Sequence, residues 1–225
     1  MIEYPTIQNS SKAPRINSVG FAKFDGSNFR AKWTKKRGFN LYGSRHQLID
    51  ETDSFLGNAV KIFKERYKDT LENLISKNKN FRNEREIVVF GEYVGPKSFA
   101  GMHYDKPEDM DIIFFDILVG QINRKFLKPY DFIEITKDLV PTSPVLYIGN
   151  LTDQLITDVR EGKYDSEFNK LTNNKYPIFE GLICKGTTYQ GQYRGSICMT
   201  KIKTNKYFEL LKSKYGEEGI LKYGE

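Results

Sequence analysis

Two long apolar segments lie in the middle of the chain, and both are rich in β-branched and aromatic residues. They are Glu86–Val94 and Asp111–Val119, and a loop rich in Gly, Pro and Asp separates them. Long apolar runs of this composition are typical of strands that are buried in a sheet. The sequence therefore predicts a sheet that contains two buried strands.

Other segments carry shorter strand signals, and Gly-containing turns join the first of them. Strands are predicted at residues 19–24, 28–34, 39–45, 178–184 and 194–203. The polar lead-in that precedes them contains two prolines, which predicts irregular structure there.

The clearest helix signal is an apolar stripe that begins at Leu56 and repeats at three- and four-residue steps. Asp53 or Ser54 can cap the start of this helix. A second helix is predicted at residues 150–160, and a third begins at Thr204. Together, these signals predict an α+β fold with mostly antiparallel sheets flanked by helices.

Composition and charge limit the classes of function that this chain can have. The formal net charge is +6 and the isoelectric point is near 9.1, which permits binding to nucleic acid. No apolar run reaches the roughly 18 residues of a membrane helix, and no secretory signal follows Met1. Cys184 and Cys198 lack metal-site spacing, so we expect buried thiols on neighbouring strands in a cytosolic protein without a membrane anchor.

The first segment with reactive character runs from Lys23 through Asp25 and Gly26 to Asn28, at a predicted junction of strand and turn. A lysine amine is a poor nucleophile near its ordinary pKa of about 10.4, because it is protonated at neutral pH. Desolvation and nearby positive charge favour the neutral amine, so Lys23 is a candidate covalent catalyst in a basic pocket. The alternative is a polar hairpin turn.

Four further short segments follow in chain order, at residues 90–92, 113–117, 180–183 and 201–203. With the Lys23 segment, their order resembles the nucleotidyltransferase motifs of the covalent ligases and the messenger-RNA capping enzymes. The resemblance covers most of the chain. It implies a nucleotidyltransferase (ATP-grasp-like) ligase catalytic domain.

The resemblance is closest to the RNA ligases of the phage RNA ligase 2 type. Asn28 lies where DNA ligases and capping enzymes usually carry Arg, and residues 89–96 and 115–117 also resemble this type, as does the spacing from Glu180 to Lys201. It implies an ATP-dependent RNA ligase that joins 5′-phosphate to 3′-hydroxyl ends in RNA repair. The implied partner is RNA, as a nicked duplex or an RNA–DNA hybrid.

The resemblance also implies roles for the catalytic residues. Lys23 attacks the α-phosphate of ATP, and a lysyl-AMP forms. Lys201 and Lys203 alternate on a strand, so both point to one face, where they can neutralise the α-phosphate. A solvated strand edge is the alternative for this pair. Asn28 resembles a residue used when the 3′-hydroxyl attacks.

Nucleotide contacts are implied for three residues. Phe115 is the candidate for stacking on adenine, and an ordinary core position is the alternative. Glu92 resembles the carboxylate that binds the ribose hydroxyls. Arg45 resembles the basic residue near the ribose and the substrate phosphate.

A divalent metal, Mg²⁺ or Mn²⁺, is implied as the cofactor of the reaction. Glu180 resembles the carboxylate that organises it, through water as Mg²⁺ prefers. Glu92 and Asp25 are further candidates, although Asp25 also suits a role in shaping the turn. Lys185 can contact a phosphate or be ordinary surface.

The chain departs from the family pattern at two places. Ala22 precedes the nucleophile where close relatives often have Glu, and only residues 204–225 follow Lys203. We therefore expect a single domain over residues 1–225, without an OB-fold or a large C-terminal domain. It is a minimal catalytic domain, a shortened form of a longer protein, or an enzyme that depends on a protein partner to hold its substrate. The alternatives are a minimal ATP-dependent DNA ligase, against which Asn28 argues, and a catalytically silent RNA-binding module.

Overall fold

The computed structural model describes residues 1–12, 14–94, 110–122, 124–187 and 197–220. Residues 95 and 96 of the segment at 89–96, and the first residues of the strand predicted at 194–203, lie outside these ranges. Two mostly antiparallel sheets flanked by helices confirm the predicted α+β class.

The strands of the described chain follow in order. They are β1 (Gln8–Asn9), β2 (Asn17–Phe24), β3 (Ser27–Thr34), β4 (Gly38–Gly43), β5 (Leu48–Ile49), β6 (Glu86–Val94), β7 (Asp111–Val119), β8 (Lys125–Phe126), β9 (Val145–Asn150), β10 (Phe179–Thr187) and β11 (Ile197–Lys203). One sheet has the order β1-β11-β10-β2-β9, and the other has the order β5-β4-β3-β6-β7-β8. Among these pairs, β1 and β11 alone run parallel.

Most of the helices are short; the exceptions are the helical stretch over residues 57–77 and the last described helix. They are α1 (Gly57–Ile62), α2 (Lys68–Lys77), α3 (Pro129–Thr136), α4 (Asp153–Arg160), α5 (Asp165–Leu171) and α6 (Asn205–Gly219). A π-helical segment, Phe63–Tyr67, joins α1 to α2, so the predicted long helix is present with one irregular turn. None of the helices in the described ranges has the length and apolar character needed to cross a lipid bilayer.

The chain divides into two compact units. Unit 1 comprises Met1–Pro5 and Gly26–Thr142, and unit 2 comprises Thr6–Asp25 and Ser143–Glu225. Each unit contains one of the two sheets, because β3 to β8 fall within unit 1 and the remaining strands fall within unit 2. That all 225 residues form one nucleotidyltransferase domain stays a prediction.

The core of unit 1 is built around Phe63, which is fully buried. Four rings surround it at centroid distances of 5.0 to 6.3 Å: Phe29, Phe39, Tyr42 and Phe114. The π-helical turn thereby anchors the long helix to the sheet. The predicted cap at Asp53 or Ser54 is not at the N-cap position of α1, which is Leu56; the Oδ1 of Asp53 instead accepts hydrogen bonds from the Phe55 and Leu56 amides in the turn before the helix.

We expect the Phe63→Ala substitution to lower the free energy of unfolding by about 3–5 kcal/mol, because it removes a ring at the centre of this cluster and leaves a cavity. Phe55→Ala is the matched control, since Phe55 lies in the same unit and is 50% exposed. Urea unfolding of both variants measures the difference. A similar small loss in both would contradict the central position of Phe63.

The strands predicted in the unit 2 part of the chain are present. Unit 2 also contains elements that the sequence did not predict. The predicted helix at 150–160 begins only at Asp153, because Thr152 Oγ1 caps it by accepting from the Leu155 amide at 3.1 Å. The edge strand β9 precedes it. The predicted start of the last helix is confirmed, since Thr204 is the N-cap of α6. Phe168 of α5 packs on Phe24 and Phe179.

The two cysteines lie on the adjacent strands β10 and β11, as predicted. Both are free thiols; Cys184 is buried, whereas Cys198 is half-buried. Burial raises the pKa of the Cys184 thiol to about 12, so it stays protonated at neutral pH. Cys184 is therefore a packing residue.

Candidate active site

A buried carboxylate lies between two lysine ammonium groups in unit 2. Glu180 is 3% exposed, and its Oε2 lies 2.5 Å from Nζ of Lys23, while its Oε1 lies 2.8 Å from Nζ of Lys203. Strand β10 has β2 on one side and β11 on the other, and Gly181 is in register with both lysines. The fold thus brings together three of the predicted site residues.

Gly181 explains how Glu180 reaches these lysines. The register with β2 shifts between Phe179 and Gly181, and Gly181 has φ +146°. A Cβ on Gly181 would lie 1.9 Å from the carbonyl oxygen of Ile202, so a larger residue cannot fit. Such irregularities redirect neighbouring side chains. Glycine at position 181 is therefore a structural requirement for this position of the carboxylate.

Four lysines share one face of the unit 2 sheet. Gly181 is opposite Lys23 and Lys203, and partners that lie opposite each other in an antiparallel pair point the same way. Lys201 and Lys185 lie at even steps from these positions, so they point to the same face. Lys185 is 3% exposed and its Nζ lies 4.8 Å from a ring centroid, so the surface alternative for Lys185 is wrong.

The solvated-edge alternative for Lys201 and Lys203 is wrong as well. Strand β11 lies between β1 and β10, and Asn9 of β1 is in register with Lys201. Lys203 is buried and Lys201 is half-buried. Both lysines therefore belong to an interior strand.

Electrostatics on this face favour an anion. Burial raises the pKa of Glu180, but the charges of Lys23 and Lys203 more than offset it, and the net pKa lies below the ordinary value. Burial and the charge of Lys23 lower the pKa of Lys203, against the opposing effect of Glu180. One ionised carboxylate thus faces several cations. A bound phosphate would relieve the remaining repulsion.

Tyr207 of α6 connects two predicted residues and was not predicted as part of the site. Its hydroxyl donates to Oδ1 of Asp25 at 3.0 Å, and the Lys203 ammonium lies 5.1 Å from its ring centroid. Asp25 is 1% exposed. Its carboxylate is therefore held at the end of β2, which agrees with a role in shaping the turn.

In unit 1, Asn28 and Glu92 lie opposite each other on β3 and β6. Gly26 precedes this pair, and a Cβ there would lie 2.5 Å from the carbonyl oxygen of Tyr93 and 2.7 Å from Cγ of Glu92. The backbone approach therefore requires glycine. Oδ1 of Asn28 is buried and accepts no hydrogen bond from the described residues, so its acceptor capacity is unused in this structure.

Phe115 lies at a β-bulge. Phe90 is in register with Asp116 and Gly91 with Phe114, which leaves Phe115 without a partner on β6. Phe115 is half-buried, whereas its neighbours along β7 are buried. A bulge of this kind redirects a side chain. Its ring is thus the accessible aromatic of the segment at 113–117.

Tyr4 packs against Phe115 and was not predicted from the sequence. Its ring lies edge-on to that of Phe115, at a centroid distance of 5.1 Å, and its hydroxyl donates to the buried Asp116. Burial, followed by the Asp116 charge, raises the pKa of Tyr4 well above its ordinary value, so it remains a donor. Tyr4 fixes the position of Phe115.

Arg45 is exposed in the turn between β4 and β5. Gly43 of β4 is opposite Arg30 of β3, so this turn lies at the same end of the unit 1 sheet as Asn28. The roles that the resemblance implies for Arg45, Asn28 and Glu92 stay predictions.

The donor set suits a water-mediated metal better than a directly chelated one. No group of three or more His, Cys, Asp or Glu side chains that could hold a metal occurs among the described residues. Glu180 is ionised and is the acid between two lysines, whereas Mg²⁺ commonly keeps several waters and binds one or two carboxylates together with substrate phosphates. Glu180 fits that arrangement.

The sequence profile of the RNA ligase family matches residues 19–203. This match covers most of the chain and includes all nine predicted site residues: Lys23, Asp25, Asn28, Arg45, Glu92, Phe115, Glu180, Lys201 and Lys203. The chain therefore belongs to the RNA ligase family. A search of curated protein sequences found no significant match.

Solved structures of Naegleria gruberi RNA ligase have a similar fold. A mutant with AMP and Mn has a TM-score of 0.64 and 17% identity, over 93% of this chain and 58% of that one. A mutant with ATP and Mn has a TM-score of 0.62 and 17% identity, with coverage of 93% and 58%. The form with pyrophosphate has a TM-score of 0.64 and 18% identity, with coverage of 95% and 58%. This chain thus spans 58% of the length of these relatives.

Proposed function

We propose that this protein is an ATP-dependent RNA ligase that joins 5′-phosphate to 3′-hydroxyl ends through AMP covalently bound to Lys23. The observation that carries the proposal is the sheet face of unit 2 on which four lysines accompany the buried carboxylate of Glu180. Such an excess of positive charge, largely withdrawn from water, suits a polyphosphate. Membership in the RNA ligase family supplies the reaction class.

In the first step, Lys23 gives up its proton to solvent and Nζ attacks the α-phosphorus of ATP. The N–P bond forms as the bond from the α-phosphorus to the bridging oxygen breaks, and pyrophosphate leaves. Lys185, Lys201 and Lys203 stabilise the negative charge that develops on the phosphate oxygens. Contact with Glu180 favours the protonated amine, so Lys23 must leave this carboxylate before it attacks.

Two further transfers complete sealing. A 5′-phosphate oxygen of the RNA attacks the phosphorus of lysyl-AMP, which frees Lys23 and forms a 5′–5′ pyrophosphate link. The 3′-hydroxyl then attacks the RNA phosphorus, the phosphodiester bond forms and AMP leaves. Asn28 positions this hydroxyl through Oδ1, which accepts no hydrogen bond from the described residues. The proposed substrate is a nick in duplex RNA or an RNA–DNA hybrid.

Unit 1 supplies the proposed nucleoside contacts. Phe115 stacks on adenine from the bulge, Glu92 binds the ribose hydroxyls, and Arg45 binds phosphate at the same end of the sheet. Glu180 would hold the divalent metal through water, as Mg²⁺ prefers. When bound, the metal neutralises phosphate charge. A cytosolic location and a protein partner that helps hold RNA stay predictions.

Labelling the protein with radioactive ATP or GTP, in the presence of Mg²⁺ or Mn²⁺, tests the proposal. We expect one AMP per chain from ATP and little label from GTP. The labelled protein should then seal a nick that has an RNA 3′-hydroxyl strand in preference to an all-DNA nick. Equal labelling by GTP would indicate a capping-type enzyme, efficient sealing of DNA would indicate a DNA ligase, and no labelling would indicate a silent RNA-binding module.

A further inference from the structure

Two neighbouring turns at one end of the unit 1 sheet form a basic surface. The turn between β3 and β4 carries Lys35, Lys36 and Arg37, and the turn before β6 carries Arg82 and Arg85. The Lys35 amide donates to the Arg85 carbonyl at 3.1 Å, which holds the turns side by side. All five residues are exposed. We call this set the two-turn basic surface.

Ion pairs with the described residues do not neutralise the charge of this surface. None of the five side chains forms an ion pair with the described part of the chain, and two acids beside the turns, Glu72 and Glu86, each contact another lysine. Residues 35–37 and 82–85 contain five cations and one carboxylate, Glu84, and so have a formal charge of +4 where the whole chain has +6. The net charge of these two short turns alone thus equals most of the net charge of the whole chain.

The two-turn basic surface is too far from the nucleotide residues of unit 1 to bind the same mononucleotide. Asn28 lies near one end of β3, and Lys35 follows the other end. At about 3.3 Å per residue, seven steps along a strand separate them by roughly 23 Å. A ligand that contacts both positions must therefore be a long polyanion.

The residue types in the turns suit a nucleic-acid backbone. Lysine, arginine and asparagine side chains commonly donate to phosphate oxygens. None of the residues in 35–37 or 82–85 is aromatic, so these turns offer no ring on which unpaired bases could stack. This composition favours a duplex, which presents its phosphates outward and keeps its bases stacked inside.

We propose that the two-turn basic surface binds the phosphate backbone of the RNA duplex several nucleotides from the nick. The inference rests on the proposed function, which supplies the nucleic acid, and it adds a docking surface outside the motif residues. Its phosphate contacts hold the duplex without reading its sequence. Binding through this surface should therefore depend strongly on salt and weakly on base composition.

The test compares two triple variants of equal net charge. Lys36→Gln, Arg37→Gln and Arg85→Gln together neutralise the two-turn basic surface. Lys61→Gln, Arg124→Gln and Lys137→Gln are the matched control, because these exposed unit 1 cations also form no ion pair with the described residues. Fluorescence anisotropy measures binding to a nicked RNA duplex over a range of salt concentrations, with ATP left out.

We expect the surface variant to bind at least about tenfold more weakly, and the slope of log K against log salt to become shallower by roughly 2 to 3. The control should stay close to wild type. The proposal would be overturned if the surface variant bound the duplex as wild type does, or if the control variant lost as much affinity as the surface variant. An equal loss of binding to single-stranded RNA would overturn the duplex assignment.

Self-labelling by ATP separates this inference from the proposed function. The surface variant should accept AMP as wild type does, because the lysines of unit 2 are intact. If wild type takes no label, the ligase proposal fails, while the binding comparison still decides whether the surface holds RNA.

Discussion

Replacing Lys23 by alanine should abolish transfer of AMP from ATP to the protein, with a loss of at least about a thousandfold. In the proposed mechanism, the side chain supplies the nitrogen that bonds to the α-phosphorus, and the neighbouring lysines do not replace it because they neutralise the phosphate. The measurement is intact-protein mass spectrometry after incubation with ATP and Mg²⁺ or Mn²⁺. Persisting adduct on the variant would rule out Lys23 as the nucleophile.

Lys32→Ala is the matched control. Nζ of Lys32 lies 2.6 Å from Oε1 of Glu86, and the Lys32 side chain is 19% exposed, close to the 23% of Lys23. Both lysines thus have similar burial and one close carboxylate. Lys32 lies on β3 in unit 1, outside the four-lysine face, so its loss should leave labelling unchanged. A large loss in this control would indicate a general effect on folding.

The Glu180→Gln substitution should remove labelling and also lower the free energy of unfolding at neutral pH by about 3 kcal/mol. Glutamine keeps the shape of the side chain but leaves the ammonium groups of Lys23 and Lys203 close together without a counter-charge. Urea unfolding measures the stability, and mass spectrometry measures the adduct. If labelling disappears with unchanged stability, the carboxylate does not hold these lysines together.

The stability loss should depend on pH. The pKa of Glu180 in the folded protein lies below its ordinary value of 4.5, so its ionised form contributes stability above that pH. The contribution is lost as the pH falls through the folded-state pKa, and wild type and Glu180→Gln should then converge. Glu86→Gln is the control, since this more exposed carboxylate has one lysine contact and should cost less than about 1 kcal/mol.

The order of short segments predicted much of the site in unit 2. Lys23, Glu180 and Lys203 were selected from positions far apart in the sequence, and the fold brings them into contact. The strands could be predicted because long apolar and β-branched runs dominate them. The sequence does not predict short elements such as β9 and α5, because they have too few residues to show the hydrophobic periodicity of a strand or a helix.

The remaining site features depend on local backbone geometry, which the sequence does not display. The bulge at Phe115 depends on a register shift between β6 and β7, and the position of Glu180 depends on a similar shift beside Gly181. Tyr4 and Tyr207 each support a site residue through contacts between distant parts of the chain. Residue type alone does not predict such partners.

The two units alternate along the chain, so their sheets are completed in a fixed order as the chain is synthesised. Strand β2, which carries Lys23, pairs with β9 and β10, and these begin at Val145 and Phe179. Lys23 and Glu180 are separated by 157 positions. The ribosome therefore completes all the strands of unit 1 before β2 can gain either neighbour. A nascent chain can form its first sheet early, but Lys23 acquires its electrostatic environment only when the last strands emerge.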